Sequence, residues 1–176
     1  MPSDNVELLE FPTSVQIRPN MYVGDLDDAS VLLREAVDNS IDELYSGMEH
    51  HIKGMCNKIW VESGNGAFLV ADNGRGIPIK ESSEEGVTMA RLAVSHLSAG
   101  SKFKKNSIAI GMNGVGISCV NALSTSFAIR SRLNLHDIND LPKDLRKRVP
   151  KDITDNTYYY CKFENGYLKD EGFEEF

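Results

Sequence analysis

Three stretches of this chain carry side chains whose types and spacing can handle a nucleotide. Glu35 and Asn39 stand one helical turn apart, so both can point at a single ligand. The amide oxygen of Asn39 suits an oxygen-preferring Mg²⁺ that also holds phosphate oxygens, and the Glu35 carboxylate can take the proton from water attacking a phosphate. Asp72 ends an apolar run and opens the turn Asn73-Gly74-Arg75-Gly76-Ile77-Pro78. In an apolar pocket its carboxylate can accept a hydrogen bond from an exocyclic amine, and a wrong ligand would leave it unpaired. The loop Gly111-Met112-Asn113-Gly114-Val115-Gly116 leads straight into the apolar stretch beginning at Ile117. A glycine-rich loop feeding a helix presents free N–H groups and the positive end of the helix dipole, which together suit phosphate. Lys102, Lys104 and Lys105 add positive charge just upstream. Each signal alone has a plainer reading: a polar helix side that meets water, an Asx turn, an ordinary glycine turn. The glycine spacing matches neither the dinucleotide fingerprint nor the P-loop. In this order, however, base and metal residues, an amine acceptor and a phosphate loop compose an ATP site.

The elements that must position these groups follow from periodicity. A helix is expected over residues 30–46, with Asp28 or Ser30 as cap and Gly47 at its C-terminal end. Leu33, Ala36, Val37, Ile41 and Leu44 form its core stripe, and Glu35, Asn39 and Asp42 lie on the other side. Residues 58–62 and 67–71 read as a hairpin around Ser63-Gly64-Asn65-Gly66. A second helix is expected over 88–99, a loop over 100–116, then a buried helix and a strand over 126–131. A charged, proline-bearing loop follows, and a last hairpin turns at Asn165-Gly166. His96 reads as packed or exposed, not catalytic. Strands interspersed with helices predict an α+β fold, a mixed, mostly antiparallel sheet covered on one face by helices.

Length and composition bound the rest. The 176 residues, 41% hydrophobic and 26% charged, fit one soluble domain. No run approaches the ~20 apolar residues of a membrane span, and residues 1–5 lack the marks of a secretory signal, so the cytoplasm is the expected compartment. Cys56, Cys119 and Cys161 fit neither a metal-ligand spacing nor a disulfide framework; buried or idle thiols are expected. The net charge of −7 gives no basic footprint for nucleic acid. The run Lys143, Arg146, Lys147, Arg148 and Lys151 is basic, but such runs are more often solvated loops.

Taken together, these motifs give a chain that resembles the GHKL ATPase superfamily of gyrase-type topoisomerases, heat-shock chaperones, histidine kinases and mismatch-repair ATPases. Within it the ATPase domain of type II DNA topoisomerases is the nearest pattern. Arg18-Pro19-Asn20-Met21-Tyr22-Val23-Gly24 is similar to that family's Arg-Pro-Gly-Met-Tyr-Ile-Gly segment, and residues 35–43 to its first ATP-binding box. Residues 72–78 are similar to its Asp-x-Gly-x-Gly-Ile-Pro box. Residues 98–103 and 111–124 are similar to its lid and to its glycine box, which ends Val-Asn-Ala-Leu-Ser. The resemblance runs from about Val6 to Arg132.

It implies a Bergerat ATP-binding fold over residues 1–176, a lid at about 98–116, and ATP with Mg²⁺ as cofactors. Glu35 would be the general base, Asn39 the Mg²⁺ ligand and Asp72 the acceptor for the adenine amine. Gly76, Ile77 and Pro78 would wall the adenine pocket beside Val37 and Ile117, with Arg75 ordering its rim. Lys102 and the backbone of Gly111, Met112, Asn113, Gly114, Val115 and Gly116 would hold phosphates. Tyr22 would approach the nucleotide at a dimer interface. Implied partners are a second copy of the chain in a nucleotide-dependent homodimer, a DNA-cleavage subunit, and DNA through other domains or subunits. Asn20 and Ser101 replace glycines usual in bacterial gyrases, and Met112-Asn113 stands where those have Leu-His, an Asn more typical of phage and eukaryotic enzymes. The departures favour a phage-like or otherwise divergent member; if phage-encoded, the compartment would be the host cytoplasm. The family's Thr-bearing strand, transducer domain and DNA-cleavage domains are not found in these residues. The alternative is therefore a stand-alone nucleotide-binding or interaction module with little turnover.

Overall fold

The computed structural model describes residues 9–24, 30–49, 56–82, 84, 86–97 and 115–176. Two short helices, α1 (Thr13–Ile17) and α2 (Asn20–Val23), precede the long α3 (Ser30–Glu49). The hairpin β1 (Ile59–Gly64) and β2 (Ala67–Asp72) follows, then α4 (Met89–Ser95) and α5 (Gly116–Leu123). The strand β3 (Ser126–Arg132) is separated by a short helix α6 (Lys143–Arg146) from β4 (Thr157–Glu164) and β5 (Tyr167–Glu175). Helices with antiparallel strands make this an α+β fold, as expected. The described strands form two sheets, β1-β2 and β3-β4-β5, and every pairing is antiparallel. Both hairpins close on two residues with positive φ, Asn65-Gly66 and Asn165-Gly166, the backbone a type I′ turn needs.

The boundaries differ from expectation in three places. Helix α3 continues past Gly47 to Glu49, because one glycine is only a weak stop when the flanking residues keep helical geometry. Helix α4 is shorter than expected: Thr88 caps it by accepting from the Arg91 N–H, and His96 leaves it in an extended conformation. The segment read as a loop before β4 holds a 3₁₀ helix (Leu135–Asp140) and α6. Three of its basic residues make contacts within the fold. Arg146 donates to the Asn139 and Leu141 carbonyls, Lys147 pairs with Asp144 at 3.0 Å, and Arg148 donates to the Glu171 carbonyl.

The main core joins Ile79, Val94, Leu141, Tyr159 and Phe163, with Ile77 and Ile117 packed against it. Each large side chain buried there contributes about 1.5–3 kcal/mol. The buried Tyr159 hydroxyl is satisfied by Thr88 and Glu171, both at 2.6 Å. A second cluster of Val15, Cys119 and Ala122 seats α1 and α2 on α5, with Tyr22 packed against it. The three cysteines are free and buried. Burial pushes the Cys119 thiol up to about 11 and Cys161 to about 12, so both stay protonated at neutral pH. Among the described residues no helix is long and apolar enough to cross a membrane. The second edge of β2 has no strand partner among them either, and Leu69 on that strand is 48% exposed.

Candidate functional site

Asp72 is the last residue of β2 and pairs across the hairpin with Ile59. Its two oxygens are engaged from different elements: the Ser40 hydroxyl of α3 donates to Oδ2 at 2.7 Å, and the Gly74 N–H donates to Oδ1 at 2.8 Å. The turn that follows is stapled to the strand before it, since Asn73 Oδ1 accepts from the N–H groups of Asn57 and Lys58. The carboxylate lies open; Asp72, Gly76 and Pro78 are exposed in the described structure. The apolar enclosure expected around Asp72 is thus not supplied by the described residues, and the lid region 98–114 lies outside them.

Arg75 turns away from Asp72 to α3. Its Nε and terminal nitrogen hold both oxygens of Glu43 at 2.9 and 2.8 Å, and its backbone N–H adds a third bond at 3.0 Å. Burial raises the Glu43 carboxyl, but the Arg75 contacts outweigh it and hold that carboxyl below its ordinary 4.5. The pair therefore stabilises the fold above that pH, and the contribution disappears as pH falls through the lowered value. Because the Arg75 side chain is 58% exposed, Arg75→Ala is expected to cost only about 0.5–1 kcal/mol at neutral pH. Urea unfolding at neutral and at acid pH checks this: the difference between variant and parent should vanish in acid.

Glu35 lies against the start of α5. A Cβ built on Gly116 would stand 1.7 Å from Glu35 Oε2, so only glycine admits the carboxylate there. Burial raises the Glu35 carboxyl, Asp38 raises it further, and Arg34 partly opposes them. One turn on, the Asn39 side chain donates from Nδ2 to the Glu35 carbonyl at 2.6 Å. Only the NH₂ end can make that bond, which leaves the acceptor Oδ1 available. On the far side, Ile77 is anchored in the main core, and its carbonyl accepts from the Ser131 hydroxyl at 3.0 Å. Gly76 has φ +78, and a Cβ there would meet Ser131 Oγ at 2.5 Å.

Helix α3 thus carries Glu35 and Asn39 and holds the Asp72 turn through Ser40 and Glu43. Val115, Gly116 and Ile117 begin α5 beside Glu35, whereas Lys102, Gly111, Met112, Asn113 and Gly114 lie outside the described residues. Sequence reasoning missed Ser40, Glu43 and Ser131. Glu43 had a legible signal, four residues after Asn39 and so on the same helix side as that residue. Ser131 had none, because its partner is a backbone carbonyl far away in sequence.

The fold and this arrangement define a class. Residues 24–146, more than half of the chain, match the histidine kinase-, DNA gyrase B- and HSP90-like ATPases, and the chain belongs to that family. Within it the similarity is to gyrases. The chain is 41% identical to the DNA gyrase B protein of Rickettsia bellii over 133 residues, covering 73% of this chain and 16% of that protein. With the gyrase B protein of Caulobacter vibrioides the identity is 40% over 127 residues, 69% of this chain and 15% of the relative. With that of Borrelia hermsii it is 39% over 132 residues, 72% and 20%. The match therefore spans only a minor part of these relatives.

Proposed function

We propose that this chain is the ATP-binding and ATP-hydrolysing domain of a type II DNA topoisomerase, with residues 1–176 forming one domain. The observation that carries the reading is the double use of α3. Its Glu35 is seated on the first residue of α5, and its Ser40 grips Asp72, about 7.5 Å further along the helix axis. A nucleotide laid along α3 has its base at Asp72 and its phosphates at the start of α5. Asp72 accepts from the adenine amine, and Ile77, Pro78, Val37 and Ile117 offer apolar contact to the ring. Lys102 and the backbone from Gly111 to Gly116 hold phosphates, helped by the positive end of α5.

The residues present fit Mg²⁺ in one respect: the Asn39 amide oxygen has no partner among the described residues. Among the described residues no cluster of three or more His, Cys, Asp or Glu could hold an ion by itself. A cation here would take its other ligands from phosphate and water, where it neutralises phosphate charge. Glu35 accepts a proton from the water whose oxygen attacks the γ-phosphorus, while the bond to the bridging oxygen breaks and ADP leaves. The raised proton affinity of Glu35 favours that transfer.

In the complete enzyme, ATP held by two copies shifts the population from open to closed dimers, and the closed dimer gates passage of a DNA duplex. DNA and the cleavage chemistry then belong to other domains or a partner subunit, and the compartment is the cytoplasm. The measurement that tests the reading is ATP binding and steady-state hydrolysis, with and without a supplied transducer segment. Absence of hydrolysis in both arms would sink the enzyme reading. A second reading is a nucleotide-binding module with little turnover. It predicts retained binding and no hydrolysis in both arms.

Gly116→Ala separates catalysis from folding. The new methyl group would displace the far end of the flexible Glu35 side chain, so the melting temperature should change little. Turnover should fall by about a hundredfold, the cost of misplacing a reacting group by an ångström or so. Turnover equal to the parent's would mean that Glu35 does not work from this seat.

A further inference from the structure

We propose that Ser40 is a positioning residue that makes the Asp72 site choose an amino-bearing purine over an oxo-bearing one, adenine over guanine. The inference rests on the proposed reading of the base by Asp72. Ser40 is only 5% exposed, so it acts through Asp72 and not by touching a ligand. A helical serine ordinarily returns its proton to a carbonyl of its own helix. Here the hydroxyl instead crosses to β2 and donates to Asp72 Oδ2 at 2.7 Å.

Together with the Gly74 N–H on Oδ1, this tether fixes the carboxylate from two elements. An ionised carboxylate offers only acceptor sites, about four in all. Two are filled from the protein side, and the others face outward from an exposed residue. An exocyclic N–H satisfies them. A ring carbonyl oxygen is itself an acceptor, and a carboxylate held from two sides cannot turn away from it.

With Ser40→Ala, one tether remains and the carboxylate can rotate. Part of the bond to adenine is lost and part of the repulsion of guanine is relieved, so both changes narrow the ATP-to-GTP ratio. A residue that merely tied α3 to β2 would lower stability and leave that ratio alone.

The test is calorimetric titration of the full chain with ATP and with GTP, for the parent, Ser40→Ala and Ser40→Thr, alongside thermal melts. The ratio should narrow about tenfold in Ser40→Ala, the worth of one hydrogen bond to a charged group, and persist in Ser40→Thr, which keeps the hydroxyl. Ser40→Cys, similar in shape but a weak donor, gives the same readout as alanine and covers any failure of that variant to fold. An ATP-selective parent with unchanged selectivity in Ser40→Ala overturns the proposal and leaves the ATP reading standing. A parent that binds no ATP overturns both.

Discussion

Replacing Glu35 by alanine is expected to stop ATP hydrolysis while leaving nucleotide affinity close to the parent's. A general base acts on the chemical step, so its loss should lower turnover by roughly 10²- to 10⁴-fold. Affinity should hold, because the carboxylate makes no attractive contact with bound phosphates, and removing its charge relieves a repulsion. The geometry sharpens the expectation: Glu35 fills space that only a glycine at 116 leaves open, so alanine at 35 creates room without a clash. Burial raises the Glu35 carboxyl above its ordinary 4.5. The base is therefore neutralised at a higher pH than an exposed glutamate, and turnover of the parent should fall in acid from a point above 4.5. Single-turnover hydrolysis with a parallel binding titration checks both halves. Hydrolysis at the parental rate in Glu35→Ala would remove Glu35 from the mechanism.

Asp72→Asn should do the reverse, weakening ATP binding while sparing turnover at saturation. The carboxylate accepts from Ser40 and Gly74 and still has acceptor sites for a ligand amine. An asparagine has one acceptor oxygen; if it keeps either internal bond, its NH₂ is turned towards the other donor or towards the adenine amine. The Ser40 hydroxyl can turn to accept from that NH₂, but the Gly74 N–H and the adenine amine cannot, and there donor meets donor. Losing a hydrogen bond to a charged group costs about 1.5–3 kcal/mol, or roughly ten- to hundredfold in affinity. Asp72 is exposed, so the fold should survive, which a thermal melt would verify. Unchanged affinity would show that the base does not sit at Asp72.

What could be read from the sequence was what is encoded locally. The Asn-Gly turns and the one-turn spacing of Glu35 and Asn39 depend on neighbouring residues, and the structure shows both. The contacts that make the site a unit were not legible, because they join distant segments. Ser40 and Asp72 meet across 32 positions and Ser131 and Ile77 across 54, with ordinary residue types at each end. Periodicity also overstated the apolar stripe of α3: Leu33, Val37 and Leu44 are only half-buried, whereas the polar Ser40 is buried. Hydrophobic pattern marks what a face can bury; what packs against it decides what is buried.

The edge of β2 that no described strand pairs with has a consequence for the solution behaviour of the protein. Its run Ala67-Phe68-Leu69-Val70-Ala71 has no charge, no proline and strong strand preference, and it presents backbone donors and acceptors that no described strand takes up. Natural edge strands usually carry a lysine, a proline or a bulge that refuses company. This one carries none over those five residues, so it is a ready template for any extended segment, its own or another chain's, that comes alongside.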